Sequence, residues 1–419
     1  MTINVTGIDK EIRSDMLPPP IERYTVLGWI VKNLFSSWYN GILTFVAIGI
    51  VFAIGRPAII WAFSQARWVV IPFNMANLMV GVYPREEIWR VWSVVYLIAG
   101  LVGLTWRTQF RGHSRGVIVF ALMILLGILP INLAFMGMDG ETIRTTTLPR
   151  GMAGVGIGGL FGILVGQVGG DRMKRLSTYG WLWFYPVAIF LIRGISQDHS
   201  IMPLVKTSQW GGLMLNTIVS STALVLGLPI GIVFALGRRS QLPVFRTVSI
   251  VFIEFIRGVP LITILFTAQV MIPLFLPEEI RIDNLIRAMI GVTLFAAAYV
   301  AEIVRGGLQA IPRGQYEASD ALALTKADGL RYIILPQALR TTIPMMVNQA
   351  IGLSKDTSLL KIVAMMELLS MAQMLTANPD YIGTQRELLT FVMVVFWLVT
   401  YMLAYAGRRL ELAQELGKR

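Results

Sequence analysis

The sequence has no cysteine, only two histidines and few charges for its length. Without cysteine there are no disulfides, no thiolate metal ligands and no thiol nucleophile. With His113 and His199 alone, a histidine-based metal cluster lacks ligands. Only 14% of the 419 residues are charged, whereas soluble domains carry about 25%. Hydrophobic residues make up 55%, and over this length a single unusual core cannot account for the imbalance. The composition points to an all-α polytopic membrane protein. A net charge of +12 would suggest nucleic acid only if the basic residues formed a patch. They sit between apolar runs instead, so no nucleic-acid partner is expected. No G-x4-G-K-[ST] segment occurs, and Gly352-Leu-Ser-Lys355 lacks that spacing, so the chain has no phosphate cradle of its own.

Residues 1–26 carry Asp9, Glu11, Asp15, Glu22 and the run Pro18-Pro19-Pro20, a polar tail unlike a cleavable signal. Leu27, Ile30, Val31, Leu34, Phe35 and Trp38 then recur at helical spacing, which predicts an amphipathic helix in the headgroup region. Ten apolar runs approach the roughly 20 residues a helix needs to cross a bilayer. They are 41–62, 89–106, 117–135, 151–168, 179–193, 212–236, 248–276, 288–306, 335–353 and 388–406. The fifth is short and the seventh long, so tilt or a break is expected there. With both termini inside, the inside segments hold about twice the Lys and Arg of the outside loops, the bias that sets orientation. In the fourth run Gly154, Gly158, Gly162, Gly166 and Gly170 form a small-residue ridge, suited to close helix packing.

The segment from Gln309 to Ile334 is long for a connection between spans. Pro312 resets the chain, and Tyr316 to Ala323 read as a short helix of small residues with Glu317 and Asp320 as its charges. Thr325 with Asp328 resembles a capping box for a second helix. From the residues alone, this is either a docking element for a soluble partner or only a structured loop.

The same segment resembles the EAA loop of ABC-importer permeases, E-A-A-x3-G-x9-I-x-L-P. Glu317 and Ala318 match, Ser319 replaces the second alanine, Ala323 stands at the glycine, and Ile333, Leu335 and Pro336 keep the spacing. Glu254-Phe-Ile-Arg257-Gly258-Val-Pro260, Ala298-Tyr-Val-Ala-Glu302-Ile-Val-Arg305-Gly306 and Leu353-Ser-Lys355-Asp356-Thr357-Ser358 resemble polar amino-acid uptake permeases. The N-terminal part, including Asn33-Leu-Phe-Ser-Ser-Trp38, is similar to a permease of the general L-amino-acid transport system. The resemblance implies a type I importer core of five helices over 208–407, preceded by about five extra helices over 41–195. Residues 1–40 would form a cytoplasmic tail with the interfacial helix, and 408–419 a second tail. It further implies a chain in the bacterial inner membrane that binds no cofactor and hydrolyses nothing. ATP and Mg would be used by a cytoplasmic ATPase dimer that receives the loop 309–336 through Glu317, Ala318, Ser319, Asp320, Ala323, Leu335 and Pro336. A second permease, a distinct paralogue, and a periplasmic amino-acid-binding protein would complete the assembly.

Charges inside spans default to functional roles. Glu254 with Arg257 and Glu302 with Arg305 repeat one spacing at similar depth. They form either a cross-helix charge network or two local i,i+3 pairs. Asn348, Lys355, Asp356, Thr357 and Ser358 cluster near the outer end of the ninth span, where a Lys and an Asp could meet an amino acid's two charges. A hydrated helix cap is the competing reading. Gln269 and Tyr299 are further pathway candidates. An ion-coupled secondary transporter or a non-transporting scaffold remain alternatives to the permease reading.

Overall fold

A computed structural model describes residues 26–109, 113–128, 148–168, 170–197, 201–277 and 279–416. The proline-rich tail, the far end of the third predicted span (129–135), the His113 side chain and His199 lie outside the described residues. The chain divides into two compact units, one ending at Arg67 and the other beginning at Trp68.

In the first unit, helix α1 (Val26–Leu34) is followed by α2 (Trp38–Ile60). The predicted amphipathic helix was to run through Trp38, but it stops at Leu34. Ser37 takes an extended conformation and accepts the Asn40 N–H, so it caps a new helix that begins at Trp38.

The second unit is all-α, with no strand among the described residues. Its long helices are α3 (Ile88–Gln109), α4 (His113–Ile128), α5 (Leu148–Val168), α6 (Gly170–Arg193) and α7 (Gly212–Arg238). Then come α8 (Pro243–Gly258), α9 (Leu261–Phe275), α10 (Asn284–Gln309), α11 (Arg313–Ala321), α12 (Leu335–Asp356), α13 (Leu368–Thr376) and α14 (Gln385–Leu416). Over the described residues, helices thus lie in each of the ten predicted spans. Among the described residues, six regions are long and apolar enough on their own to cross a bilayer: Trp38–Gln65, Arg85–Thr108, Gly151–Val168, Gly212–Arg238, Asn284–Gln309 and Gln385–Leu412.

The seventh predicted span, 248–276, carries the break that its excess length suggested. Its two halves, α8 and α9, meet at 107°. Pro260 removes a backbone donor and drives the preceding Val259 out of the helical region; both residues are extended. Helix α8 packs against the end of α7. Ile253 is fully buried with Ala235, Val304 and Leu308, and Gly237 abuts Ser249. The fifth span lies in α6, which opens on Asp171, Arg172, Lys174 and Arg175. The ninth, α12, carries Gln337, Arg340, Thr341, Asn348, Gln349 and Lys355. Neither is among the helices long and apolar enough on their own to cross a bilayer.

The glycine ridge is a packing face. Gly154, Gly158, Gly162 and Gly166 lie along α3 against Tyr96, Gly100, Leu104 and Arg107. A main apolar cluster joins Tyr83, Val94 and Ile192 to Leu215, Val219, Leu285 and Leu360. Arg90 is wholly buried, but its guanidinium is matched by Glu87 at 2.7 Å and donates to the Pro203 carbonyl at 2.8 Å. A buried charge needs such partners.

A Cβ on Gly162 would run into the Gly100 carbonyl of α3, whereas Gly49 has open space around it. Gly162→Leu is therefore expected to destabilise the purified protein by about 2–3 kcal/mol. Gly49→Ala should stay within about 0.5 kcal/mol. Thermal unfolding in detergent measures both.

Candidate functional site

Two features converge at one end of the helix bundle, the end where α7, α10 and the loop 309–334 meet. The first is α11, a nine-residue helix. Pro312 precedes it, and it ends in a Schellman motif, with Leu324 N–H bonding the Ser319 carbonyl at 3.3 Å and Ala323 N–H the Asp320 carbonyl at 2.9 Å. Such a stop needs a left-handed residue, and Ala323 supplies it at φ +53°. The EAA pattern has glycine there; here the turn is made with a Cβ present, at about 1–2 kcal/mol of strain. Thr325 accepts the Asp328 N–H at 3.1 Å and starts the next turn, the capping arrangement expected from the sequence. Ser319 is buried against Gly329.

The remaining face of α11 is open. Arg313, Gly314, Glu317, Ala318, Asp320 and Ala321 are exposed, and Leu322 at its end is 71% exposed. Side chains on the covered face fasten the helix to the bundle. The Tyr316 hydroxyl donates to the Leu308 carbonyl at 3.3 Å, and the Gln337 amide donates to Gln315 at 2.9 Å. Leu335 and Pro336 open α12, where Pro336 occupies the first turn and needs no intrahelical donor.

The second feature is a charge network centred on Glu302. Arg305 grips it from one turn away, with Nε donating at 2.9 Å and Nη2 to the other oxygen. Arg238 approaches from α7 at 3.5 Å and Arg257 from α8 at 3.7 Å. Arg238 also pairs with Glu254 at 2.8 Å. Arg257 lies over the Tyr299 ring, 5.6 Å from its centre, a favourable cation–π placement. Three helices therefore meet on two carboxylates and three guanidiniums.

Residues 227–411 match the family described as binding-protein-dependent transport system inner membrane component. The chain is 36% identical to the inner membrane amino-acid ABC transporter permease protein YhdY of Escherichia coli (strain K12), over 91% of both chains. It is 32% identical to the glutamate/glutamine/aspartate/asparagine transport system permease protein BztC of Rhodobacter capsulatus, covering 96% of this chain and 97% of that one. The chain belongs to the amino-acid ABC transporter permease family. A solved amino acid ABC transporter structure aligns at 25% identity and a TM-score of 0.43, over 48% of this chain and 90% of that one. The permease is thus a multi-pass protein of the inner membrane.

The residues singled out from the sequence fall into three groups. Glu302, Arg305 and Arg257 come together, so the local pair and the cross-helix contact coexist. Glu254 joins them through Arg238; among the described residues no ion pair links it to Arg257. On α12, Thr341, Met345, Asn348 and Lys355 are all exposed along one side, and Gly352 between them has open space. Asn348 and Lys355 therefore share a face. The others do not join it. Thr357 is 1% exposed and accepts a hydrogen bond from Asn216 at 3.1 Å. Asp356 and Ser358 are half-buried. Gln269 donates to the Asn284 carbonyl at 2.6 Å, tying α9 to the start of α10, and the Tyr299 ring packs tilted at 42° against Phe295, with Arg257 over it.

Arg238 and Asn216 had no place in the sequence reading. Arg238 sits in an Arg238-Arg239 pair just after a span, where basic residues are counted toward orientation. Asn216 also donates to the buried Glu367, 3.3 Å away, and accepts the Leu368 N–H at 3.0 Å. Only the folded chain brings these residues together.

Glu302 is 24% exposed and faces three arginines; Glu254 is 54% exposed and faces one. Glu302→Gln is expected to destabilise the permease by about 2 kcal/mol, below the 3–5 kcal/mol of a fully buried pair. Glu254→Gln should cost under about 1 kcal/mol. Equal losses in detergent unfolding would refute the central place of Glu302. Ala323→Gly should keep or slightly raise the unfolding midpoint, because relief of the left-handed strain offsets the added freedom of the unfolded chain. Ala323→Val should lower it, since a β-branched residue is an outlier there.

Proposed function

We propose that this chain is the transmembrane permease subunit of an ATP-driven amino-acid importer. It forms the translocation pathway and couples it to a separate cytoplasmic ATPase dimer, which uses ATP and Mg. The observation that carries the reading is the exposed helix α11, held by Tyr316 and Gln315 at the bundle end where the Glu302 network lies. A short helix of small side chains with Glu317, Asp320 and Leu322 outward suits insertion into a cleft on a soluble partner. The names of its relatives, both amino-acid transport permeases, support the cargo class.

The basic-residue bias supports an orientation with both termini and α11 cytoplasmic. The core then spans 208–407, after an N-terminal extension over 41–195. The exposed polar face of α12, with Thr341, Asn348 and Lys355, lines the pathway, because such a face is not stable against lipid tails. Lys355 lies toward the outer mouth, where a substrate carboxylate would meet it. A second permease, a distinct paralogue, faces this one across the pathway, and a periplasmic amino-acid-binding protein delivers the cargo.

Purification from the native membrane is expected to bring an ATPase with the chain. Reconstitution with that ATPase and the binding protein should give ATP-dependent uptake of amino acids. Leu322→Asp, which puts a charge on the docking face, should weaken ATPase retention about thirtyfold, as loss of an interface anchor does. Uptake by the isolated chain on an ion gradient alone would overturn the reading.

A further inference from the structure

The C-terminus of α7 presents two adjacent arginines that hold different things. Arg238 reaches Glu254 at 2.8 Å and Glu302 at 3.5 Å. Arg239 donates to the Tyr316 hydroxyl at 3.2 Å, and its guanidinium lies 5.8 Å from the centre of the same ring. That hydroxyl in turn donates to Leu308 of α10. One peptide unit therefore separates the grip on the docking helix from the grip on the charge network. The network sits beside a break. Arg257 is one residue before Gly258, which has open space around it, and Val259–Pro260 is where α8 and α9 turn through 107°.

We infer that Arg239 and Tyr316 are positioning residues that form the transmission joint of this permease. A displacement of α11 is passed through the Tyr316 hydroxyl to Arg239 and, by the shared backbone, to Arg238. Arg238 already stands between two carboxylates, so a small movement changes its share between Glu254 on α8 and Glu302 on α10. That exchange shifts α8 against α10 at the Gly258–Pro260 break. This inference rests on the reading of α11 as the ATPase-docking helix and adds the route by which its motion leaves the docking site.

The test uses the whole complex in vesicles with its ATPase and binding protein, with uptake and ATP hydrolysis measured on one preparation. Tyr316→Phe keeps the ring and removes only the hydroxyl; Arg239→Gln removes the charge. Both variants are expected to retain the ATPase and to hydrolyse ATP within about twofold of the parent. The amino acid carried per ATP should fall about tenfold, a usual size for coupling between sites. Arg239→Lys, which keeps a cationic donor, should recover most of it. An unchanged ratio in both Tyr316→Phe and Arg239→Gln overturns the joint while leaving the docking reading intact. Loss of the ATPase from these two variants also overturns it, since they would then serve docking instead of transmission. A parent complex with no ATP-dependent uptake removes the reading on which the joint is built.

Discussion

A carboxylate near the end of a helix apolar enough to cross a bilayer is held in place by its counter-ions, and Glu302 has three. Arg305 comes from its own helix, Arg238 from α7 and Arg257 from α8. Each of these charges alone would be costly against hydrocarbon, on the order of 2.5–3.5 kcal/mol at the centre of a span. Brought together with Glu254, the two carboxylates offset two of the three guanidinium charges, provided that all three helices end at the same level. That requirement accounts for much of the local architecture. Helix α8 must lie across the ends of α7 and α10 to deliver Arg257 and Glu254, so it cannot continue straight into the membrane. The turn at Val259–Pro260 follows, and α9 enters the bundle as a separate segment. The same end of α7 carries Arg239, so α11 is tied through Tyr316 to the place where the charges meet.

The rest of the unit is organised by two kinds of contact with opposite tolerances. Between α3 and α5, glycines let backbones approach until a single added methyl group would collide. Such packing has one solution and resists sliding. Helix α12 is different. Its inward side buries Ala338, Thr342, Leu353 and Ser354, while its exposed side carries Thr341, Asn348 and Lys355. A helix of that kind is stable in a membrane only when its open side meets water or another protein. Its low apolarity is thus a consequence of its position. The C-terminal end of α12 is fixed by Asn216, whose amide bonds Thr357, Glu367 and the Leu368 backbone together in a buried cluster.

Much of this was legible in the residue order, and what was not has identifiable causes. The apolar runs located helices in all ten places because hydrocarbon thickness imposes length directly on sequence. The excess length of the seventh run signalled a break, but the angle at Pro260 depends on where Ile253 and Arg257 find partners. Glu302 and Arg305 announced themselves by spacing within one helix. Arg238 did not, because a basic residue after a span has an orientation role that masks any other. Thr357 stood in a polar run and read as pathway, yet it is buried by Asn216, which is 141 residues away. Ala323 was visible as a departure from the EAA pattern. The fold keeps the turn and holds the alanine in the left-handed conformation.

A transporter must move somewhere, and the energetics restrict where. Replacing a close-packed glycine contact by another arrangement opens a void or a collision, and each costs several kcal/mol. Half-hydrated ion pairs are different: desolvation and attraction nearly cancel, so exchanging one partner for another changes little. Arg238, shared between Glu254 and Glu302, has two acceptors already within reach and loses neither charge balance nor much hydration in moving between them. The α3–α5 contact has no second arrangement of comparable energy. Under the proposed coupling, motion driven from α11 would be taken up at the charged end of α7, α8 and α10, with the glycine-packed helices as the fixed body against which it works.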